Sequence, residues 1–184
     1  MHKIIFMKKF LFSLCIALIG LCASAQQKGD MAVGLNLGVA PCIEKNASFT
    51  NFGIGAKFQY NVTKPIRLEA DVDYWFKDKG MDVFDVSANV HYLFNIGDKL
   101  SVYPLVGIGY GRVGFGGFSF DDDDFFDFDD DYEGGASANR FLLNVGVGAE
   151  YALSSRFSVG LEFKYQYMKD FSRLPISIGA TYRF

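Results

Sequence analysis

The chain has 184 residues, of which 50% are hydrophobic and 17% aromatic, and its 18 basic and 21 acidic residues leave a net charge of −3. This length suits a single domain, and the absence of a basic surplus excludes the usual kinds of nucleic-acid-binding protein. After the N-terminal region no segment contains the roughly 20 consecutive apolar residues that a membrane-spanning helix requires, which excludes a helical membrane protein as well.

The N-terminal 25 residues have the three-part organisation of a secretory signal peptide. A basic start at residues 7–9 is followed by an apolar run at residues 10–21, and residues 23–25 are Ala-Ser-Ala. This order predicts cleavage after Ala25, export of the protein, and one mature domain over residues 26–184.

Cysteine usage is consistent with an exported protein that has no disulfide. Cys42 is the single cysteine of residues 26–184, so it has no internal partner and we predict a free loop thiol. A lipoprotein signal with Cys22 as the lipidated residue is the alternative for the N-terminus. Leu21 disfavours that alternative, because a small residue is expected before the lipidated cysteine.

Apolar and polar residues alternate with a period of two in eight segments of about ten residues each. Successive side chains of a strand point to opposite faces, so each segment forms a strand with one apolar face and one small, polar or charged face. In residues 141–151, for example, Phe141, Val145 and Tyr151 share the apolar face, and Asn144 and Glu150 share the other. Ten residues are enough for a tilted strand to cross a bilayer. The eight predicted strands are residues 31–39, 52–60, 67–76, 84–94, 100–110, 141–151, 157–167 and 176–184.

The connections between the predicted strands alternate in length. Short turns occupy residues 61–65, 95–99 and 152–156. The longer links occupy residues 41–50, 77–82, 112–139 and 168–174. Short turns at one end and longer loops at the other are typical of outer-membrane barrels. Within the predicted strand at residues 100–110, Pro104 has no N–H group to donate to a neighbouring strand, so we predict a bulge or a local break there.

Two kinds of barrel use such an alternation, and they differ in which face is inside. A soluble ligand carrier buries its apolar face, whereas a membrane barrel exposes that face to lipid. Side chains alone fill the interior of eight strands, and the bulky Phe, Tyr and Leu residues of the apolar faces do not fit there. The apolar faces also lack charges, and their aromatic residues cluster near both ends, as in interfacial girdles. We therefore predict an all-β fold, a closed eight-stranded antiparallel up-and-down transmembrane β-barrel.

The sequence resembles the small outer-membrane β-barrel superfamily, the OmpA/OmpX-like group. Residues 144–151, a short turn and residues 157–165 resemble the penultimate hairpin of that family, and residues 178–184 resemble its C-terminal aromatic strand. The resemblance implies a bacterial outer-membrane location. It also implies that Tyr182 and Phe184 form the insertion signal that the barrel-insertion machinery recognises.

The polar faces place several charged residues inside the predicted barrel. We expect Lys57 to face Glu69 or Asp71, depending on the register between the second and third strands. One interpretation is a paired network that plugs the interior, because an unpaired buried charge is costly. The alternative is a narrow ion path or gate. The predicted network contains Lys57, Arg67, Glu69, Asp71, Asp73, Glu150, Glu162, Lys164 and Arg183.

The predicted loop at residues 112–139 contains nine acids within 13 residues. One interpretation is a solvated, self-repelling run; another is binding of a divalent cation such as calcium. The interspersed aromatic residues also suit contact with an extracellular partner or with the membrane surface. The candidate cation ligands are Asp121, Asp122, Asp123, Asp124, Asp127, Asp129, Asp130, Asp131 and Glu133.

These features together predict a structural or surface-interaction barrel that needs no cofactor and presents its longer loops outside the cell. The alternative is a narrow, low-conductance pore. A lipid-acting enzyme is disfavoured, because the parity of His91 places this side chain inside, away from the membrane. The expected partners are outer-membrane lipid, the insertion machinery, and divalent cations or an extracellular partner at the acidic loop. Nucleic acid is not expected.

Overall fold

The computed structural model describes residues 28–43, 50–115 and 136–184, and these residues form a single antiparallel β-sheet. None of the described residues belongs to a helix long and apolar enough to cross a membrane. The β segments of the described ranges are β1 (Met31–Pro41), β2 (Thr50–Asn61), β3 (Ile66–Asp78), β4 (Met81–Tyr92), β5 (Phe94–Ile96), β6 (Leu100–Phe115), β7 (Ala136–Ala152), β8 (Phe157–Met168) and β9 (Ile176–Arg183).

The sheet closes on itself to form a barrel. Neighbours along the chain pair antiparallel, β9 pairs with β1, and β4 pairs with β6. Because β4 and β5 pair in turn with the same strand, they are two pieces of one barrel strand. The wall therefore has eight strands, and the predicted fold is confirmed.

The gap between β4 and β5 lies opposite Pro104. His91 pairs with Leu105 on one side of the gap and Phe94 pairs with Val102 on the other, so the register does not change across it. Proline has no N–H to donate at this point, and the N–H of Leu93, in the gap, donates instead to the carbonyl of Pro65 at 2.7 Å. The predicted local break is present as a gap in the neighbouring strand, without a bulge in β6.

Two connections are shorter than the sequence predicts. The link near residues 77–82 is only the two-residue turn Lys79–Gly80, in which φ is 47° and 87°. Positive φ at both central residues matches the twist of a tight hairpin, and glycine adopts it without strain. Pairing between β6 and β7 continues as far as Phe115 and Ala136, so the strands extend into the predicted loop at residues 112–139.

The facing of the strands is as predicted for a membrane barrel. Lipid-facing side chains such as Leu35, Val145 and Ile178 are more than half exposed. Inward side chains are mostly polar and buried, with an apolar cluster near each end. At the long-loop end the cluster contains Ala40, Trp75, Val83, Val113, Leu142 and Met168, packed with Phe171. Near the short-turn end it contains Leu93, Tyr103 and Leu105.

Candidate functional site

The candidate site is the barrel interior, where charged side chains from several strands meet. Nearest the long-loop end, Asp85 of β4 forms an ion pair with Arg173. The indole Nε1–H of Trp75 donates to the same carboxylate at 3.0 Å, and the Arg173 guanidinium carbon lies 4.9 Å from the Trp75 ring centre. Gln166 accepts from Arg173 Nε at 2.5 Å. The buried arginine therefore has a charge partner, a hydrogen-bond partner and an aromatic face.

Arg173 belongs to the wall although it precedes β9. Its backbone pairs antiparallel with Cys42 on one side and with Gln166 on the other. These pairings continue the register of β9 with β1 and with β8. Its N–H donates to the carbonyl of Gln166 at 3.1 Å, and it accepts from Gln166 N at 3.0 Å. Pro175 interrupts the strand between Arg173 and Ile176, while the period of two continues and points Arg173 inward.

The middle of the interior is organised around Asp71 of β3. Lys164 of β8 donates to Asp71 Oδ2 at 3.1 Å, and Asn89 Nδ2 of β4 donates to the same oxygen at 2.9 Å. The hydroxyl of Ser87 donates to the other carboxylate oxygen. Asn144 of β7 donates to Asn89 Oδ1 and to Ser87 Oγ, each at 3.0 Å. One carboxylate thus connects β3, β4, β7 and β8.

The next layer toward the short-turn end centres on Lys57 of β2. Its ammonium lies 2.7 Å from Glu162 Oε1 and 3.6 Å from Glu69 Oε2. Tyr103 donates its hydroxyl to the same Glu162 oxygen at 3.3 Å, and Gln59 Nε2 donates to Glu69 at 2.7 Å. The backbone register pairs Lys57 with Asp71, but the ammonium reaches across the interior to β8.

The layer of buried polar side chains nearest the short-turn end centres on Arg67 of β3. Its Nη1 lies 2.5 Å from Glu150 Oε2, while Nε and Nη2 lie 3.2 and 3.1 Å from His91 Nδ1. Because Nδ1 accepts from the guanidinium, the proton of a neutral His91 belongs on Nε2, which faces Glu69 Oε1 at 3.5 Å. The ring of Tyr103 stacks on His91 with centroids 4.6 Å apart and lies 4.7 Å from the Arg67 guanidinium carbon.

The family model of the outer membrane protein β-barrel domain matches residues 13–184. The chain belongs to this family. A bacterial outer-membrane location follows from membership. A search of curated proteins returned no match.

Solved structures of outer-membrane barrels superpose on the chain with low sequence identity. The surface protein A (NspA) of Neisseria has a TM-score of 0.68 at 16% identity, covering 84% of this chain and 97% of that one. Ail, the attachment invasion locus protein of Yersinia pestis, has a TM-score of 0.59 at 17% identity, with 86% and 100% covered. The N-terminal barrel of Pseudomonas aeruginosa OprF has 0.57 at 14%, with 86% and 100% covered. At such identities these likenesses show the fold alone.

The charged residues predicted for the interior of this outer-membrane barrel all lie on inward positions. Eight are buried, and Arg183 is partly exposed at the short-turn end, 3.7 Å from Glu150 and 3.8 Å from Asp30. Sequence reasoning missed Asp85 and Arg173 as partners in the network. Asp85 was recognisable by parity alone, and Arg173 by extending the period of two backwards past Pro175.

The other candidate residues lie apart from this network. The nine acids of residues 121–133 fall outside the described residues, and among the described ones no three His, Cys, Asp or Glu side chains are arranged to hold a metal ion. Cys42 is a free thiol whose Sγ lies 3.5 Å from the carbonyl of Ser172. Tyr182 packs on Phe157 with ring centroids 5.0 Å apart, and Phe184 is exposed.

Proposed function

We propose that the protein is a non-conducting, non-catalytic outer-membrane barrel that acts by presenting its longer loops at the cell surface. The observation that carries this proposal is the filled interior. Charged side chains from β2, β3, β4, β7 and β8 join across the barrel, and an apolar cluster lies near each end. An ion crossing this interior would have to separate buried ion pairs, and breaking such a pair by removing one partner typically costs several kcal/mol.

The position of His91 supports the absence of a lipid-acting site. A hydrolase acting on membrane lipid needs a general base beside a nucleophile, both within reach of the substrate. His91 is fully buried in the interior, where its nitrogens face Arg67 and Glu69. The imidazole therefore serves the packing and charge balance of the interior.

Planar-bilayer recording tests the plugged interior. We expect the purified, refolded protein to produce no discrete conductance steps, whereas a sixteen-stranded porin prepared identically gives large ones because its lumen is a water-filled channel. Reproducible small steps that persist across preparations would favour the narrow pore. Heat-modifiable migration of the same sample on detergent gels verifies that folded barrels were present.

The surface role is supported by the name of one similar protein, by the ligand of another and by the charge of this chain. NspA is named a surface protein, and Ail has been solved in complex with the heparin analogue sucrose octasulfate. In this chain the sequence joining β6 to β7 carries nine acids, which repel a sulfated ligand and favour divalent cations or a basic partner. Calorimetric titration with calcium tests the cation part, with Asp121→Asn/Asp122→Asn/Asp123→Asn/Asp124→Asn as the matched variant. No heat in the unmodified protein would leave only a macromolecular partner.

A further inference from the structure

Four basic side chains at the short-turn end of the barrel are exposed. They are Lys28 before β1, Lys64 between β2 and β3, Lys99 between β5 and β6, and Arg156 between β7 and β8. None of the four forms an ion pair within the described part of the chain, where every ion pair joins other residues. Each connection at this end thus contributes one available cation, and together they surround the opening.

Acidic groups at this end are fewer than the basic ones. Asp30 lies 3.8 Å from Arg183 Nε, and Asp98 is the exposed neighbour of Lys99. The exposed charge of the short-turn end is therefore positive. Separate anionic groups distributed around the circumference of the barrel would match this arrangement of cations.

Lys99 lies next to the lipid-facing surface of the barrel. Lys99 adjoins Leu100, which pairs with the exposed Tyr151, and the carbonyl of Lys99 accepts from Ala152 N at 2.8 Å. Exposed aromatic residues such as Tyr92, Phe94 and Phe184 lie near the same end of the barrel. Aromatic girdles mark the depth of lipid headgroups, so these basic groups reach the level of the headgroup phosphates.

The long-loop end has a different charge balance. Arg140 pairs with Asp170 at 3.6 Å, and Lys77 and Arg112 lie near the carboxylate of Asp82. The sequence between β6 and β7, which meet at this end, contains nine acids. Exposed Lys169 forms no ion pair at this end within the described residues, so cations without an acidic partner are fewer here than at the end with short turns. The end with short turns faces the periplasm in outer-membrane barrels.

We propose that Lys28, Lys64, Lys99 and Arg156 form a binding surface for anionic phospholipid headgroups of the inner leaflet. The occupant is a phosphodiester lipid with net negative charge, of the phosphatidylglycerol type, in contact with the aromatic girdle through its glycerol and upper acyl chains. Basic side chains near an anionic membrane surface each contribute favourable electrostatic energy. The surface acts independently of any partner of the longer loops.

Quenching by brominated lipids tests the proposal at each end of the barrel. One reporter, Tyr151→Trp, places a tryptophan beside Lys99, and a second, Phe52→Trp, places one near Asp78 at the other end. Each protein is inserted into phosphatidylcholine vesicles that contain either brominated phosphatidylglycerol or brominated phosphatidylcholine. Buried Trp75 supplies a constant background in both. We expect Tyr151→Trp to select phosphatidylglycerol by about fivefold, the ratio for one cation near an anionic surface, and Phe52→Trp to show no selection.

Substitution of the cations then assigns the selectivity. In Lys28→Gln/Lys64→Gln/Lys99→Gln/Arg156→Gln the ratio at Tyr151→Trp should fall to about one, whereas Lys77→Gln/Lys79→Gln/Lys169→Gln should keep it. If the four-site variant does not assemble, the Tyr151→Trp protein with its four cations intact should lose its selectivity in 1 M salt, because the screening length is then only about 3 Å. Equal quenching by the two lipids in the parent reporter, or selectivity that survives both treatments, overturns the proposal.

Discussion

At the residue scale, the interior of the barrel contains buried ion pairs. Asp85 and Arg173 are the clearest case, because both are fully buried and each has a second polar partner in Trp75 or Gln166. A buried pair contributes little compared with apolar packing of the same volume, but loss of one partner leaves an uncompensated charge. The effect of a substitution here therefore depends on whether its partner remains charged.

Arg173→Met should lower the free energy of unfolding by about 3–5 kcal/mol, because Asp85 would stay buried without its cation. Urea titration of the protein in lipid vesicles, followed by the fluorescence of Trp75, measures this change. The double variant Arg173→Met/Asp85→Asn should recover a large part of the loss, since residue 85 would then carry no uncompensated charge. A double variant as unstable as the single one would show that Arg173 acts through packing.

At the element scale, each strand separates two environments with a period of two. In β7, Val145 is 56% exposed toward lipid, whereas the adjacent Asn144 is buried and hydrogen-bonded to Ser87 and Asn89. The two faces therefore tolerate different changes. The outer face accepts added apolar volume, because lipid chains adapt to it, but it rejects charge.

Val145→Arg should destabilise the folded barrel by roughly 2–4 kcal/mol, the cost of a basic side chain facing the middle of the bilayer. Val145→Leu is the matched control and should stay within about 0.5 kcal/mol of the unmodified protein. Heat-modifiable gel migration scores assembly, and urea titration in vesicles gives the energies. Equal tolerance of both substitutions would contradict the assignment of this face to lipid.

At the scale of the whole molecule, closure removes every strand edge and leaves a continuous apolar belt outside. Soluble monomers rarely expose apolar patches of more than a few hundred Å², whereas here exposed large hydrophobic residues occur on every strand. The belt requires a hydrophobic environment, because water contact over such an area favours association.

The predicted mature protein, residues 26–184, should therefore remain monomeric in detergent micelles and aggregate when detergent is removed. Sedimentation velocity at matched protein concentration with and without detergent measures this. Removal of detergent should have no such effect on a soluble carrier barrel of the same strand count. A monodisperse monomer in plain buffer would invert the assignment of inside and outside.

The fold and the facing of its strands could be predicted from sequence because both depend on a local property. The backbone of a strand points successive side chains to opposite faces. The residue types at alternate positions, such as Phe141 and Tyr151 against Asn144 and Glu150, therefore already separate the lipid face from the interior. Eight such strands, with no charge on their apolar faces, leave a membrane barrel as the consistent arrangement.

The partners inside the barrel were decided only by the tertiary structure. Sequence reasoning placed Lys57 opposite Glu69 or Asp71 in the neighbouring strand, but its closest carboxylate is Glu162, 105 residues away on β8. Closure and tilt bring distant strands within one side-chain length, and these distances do not follow from any local pattern. The period of two determines which residues are inside, and the curvature of the closed sheet determines which of them meet.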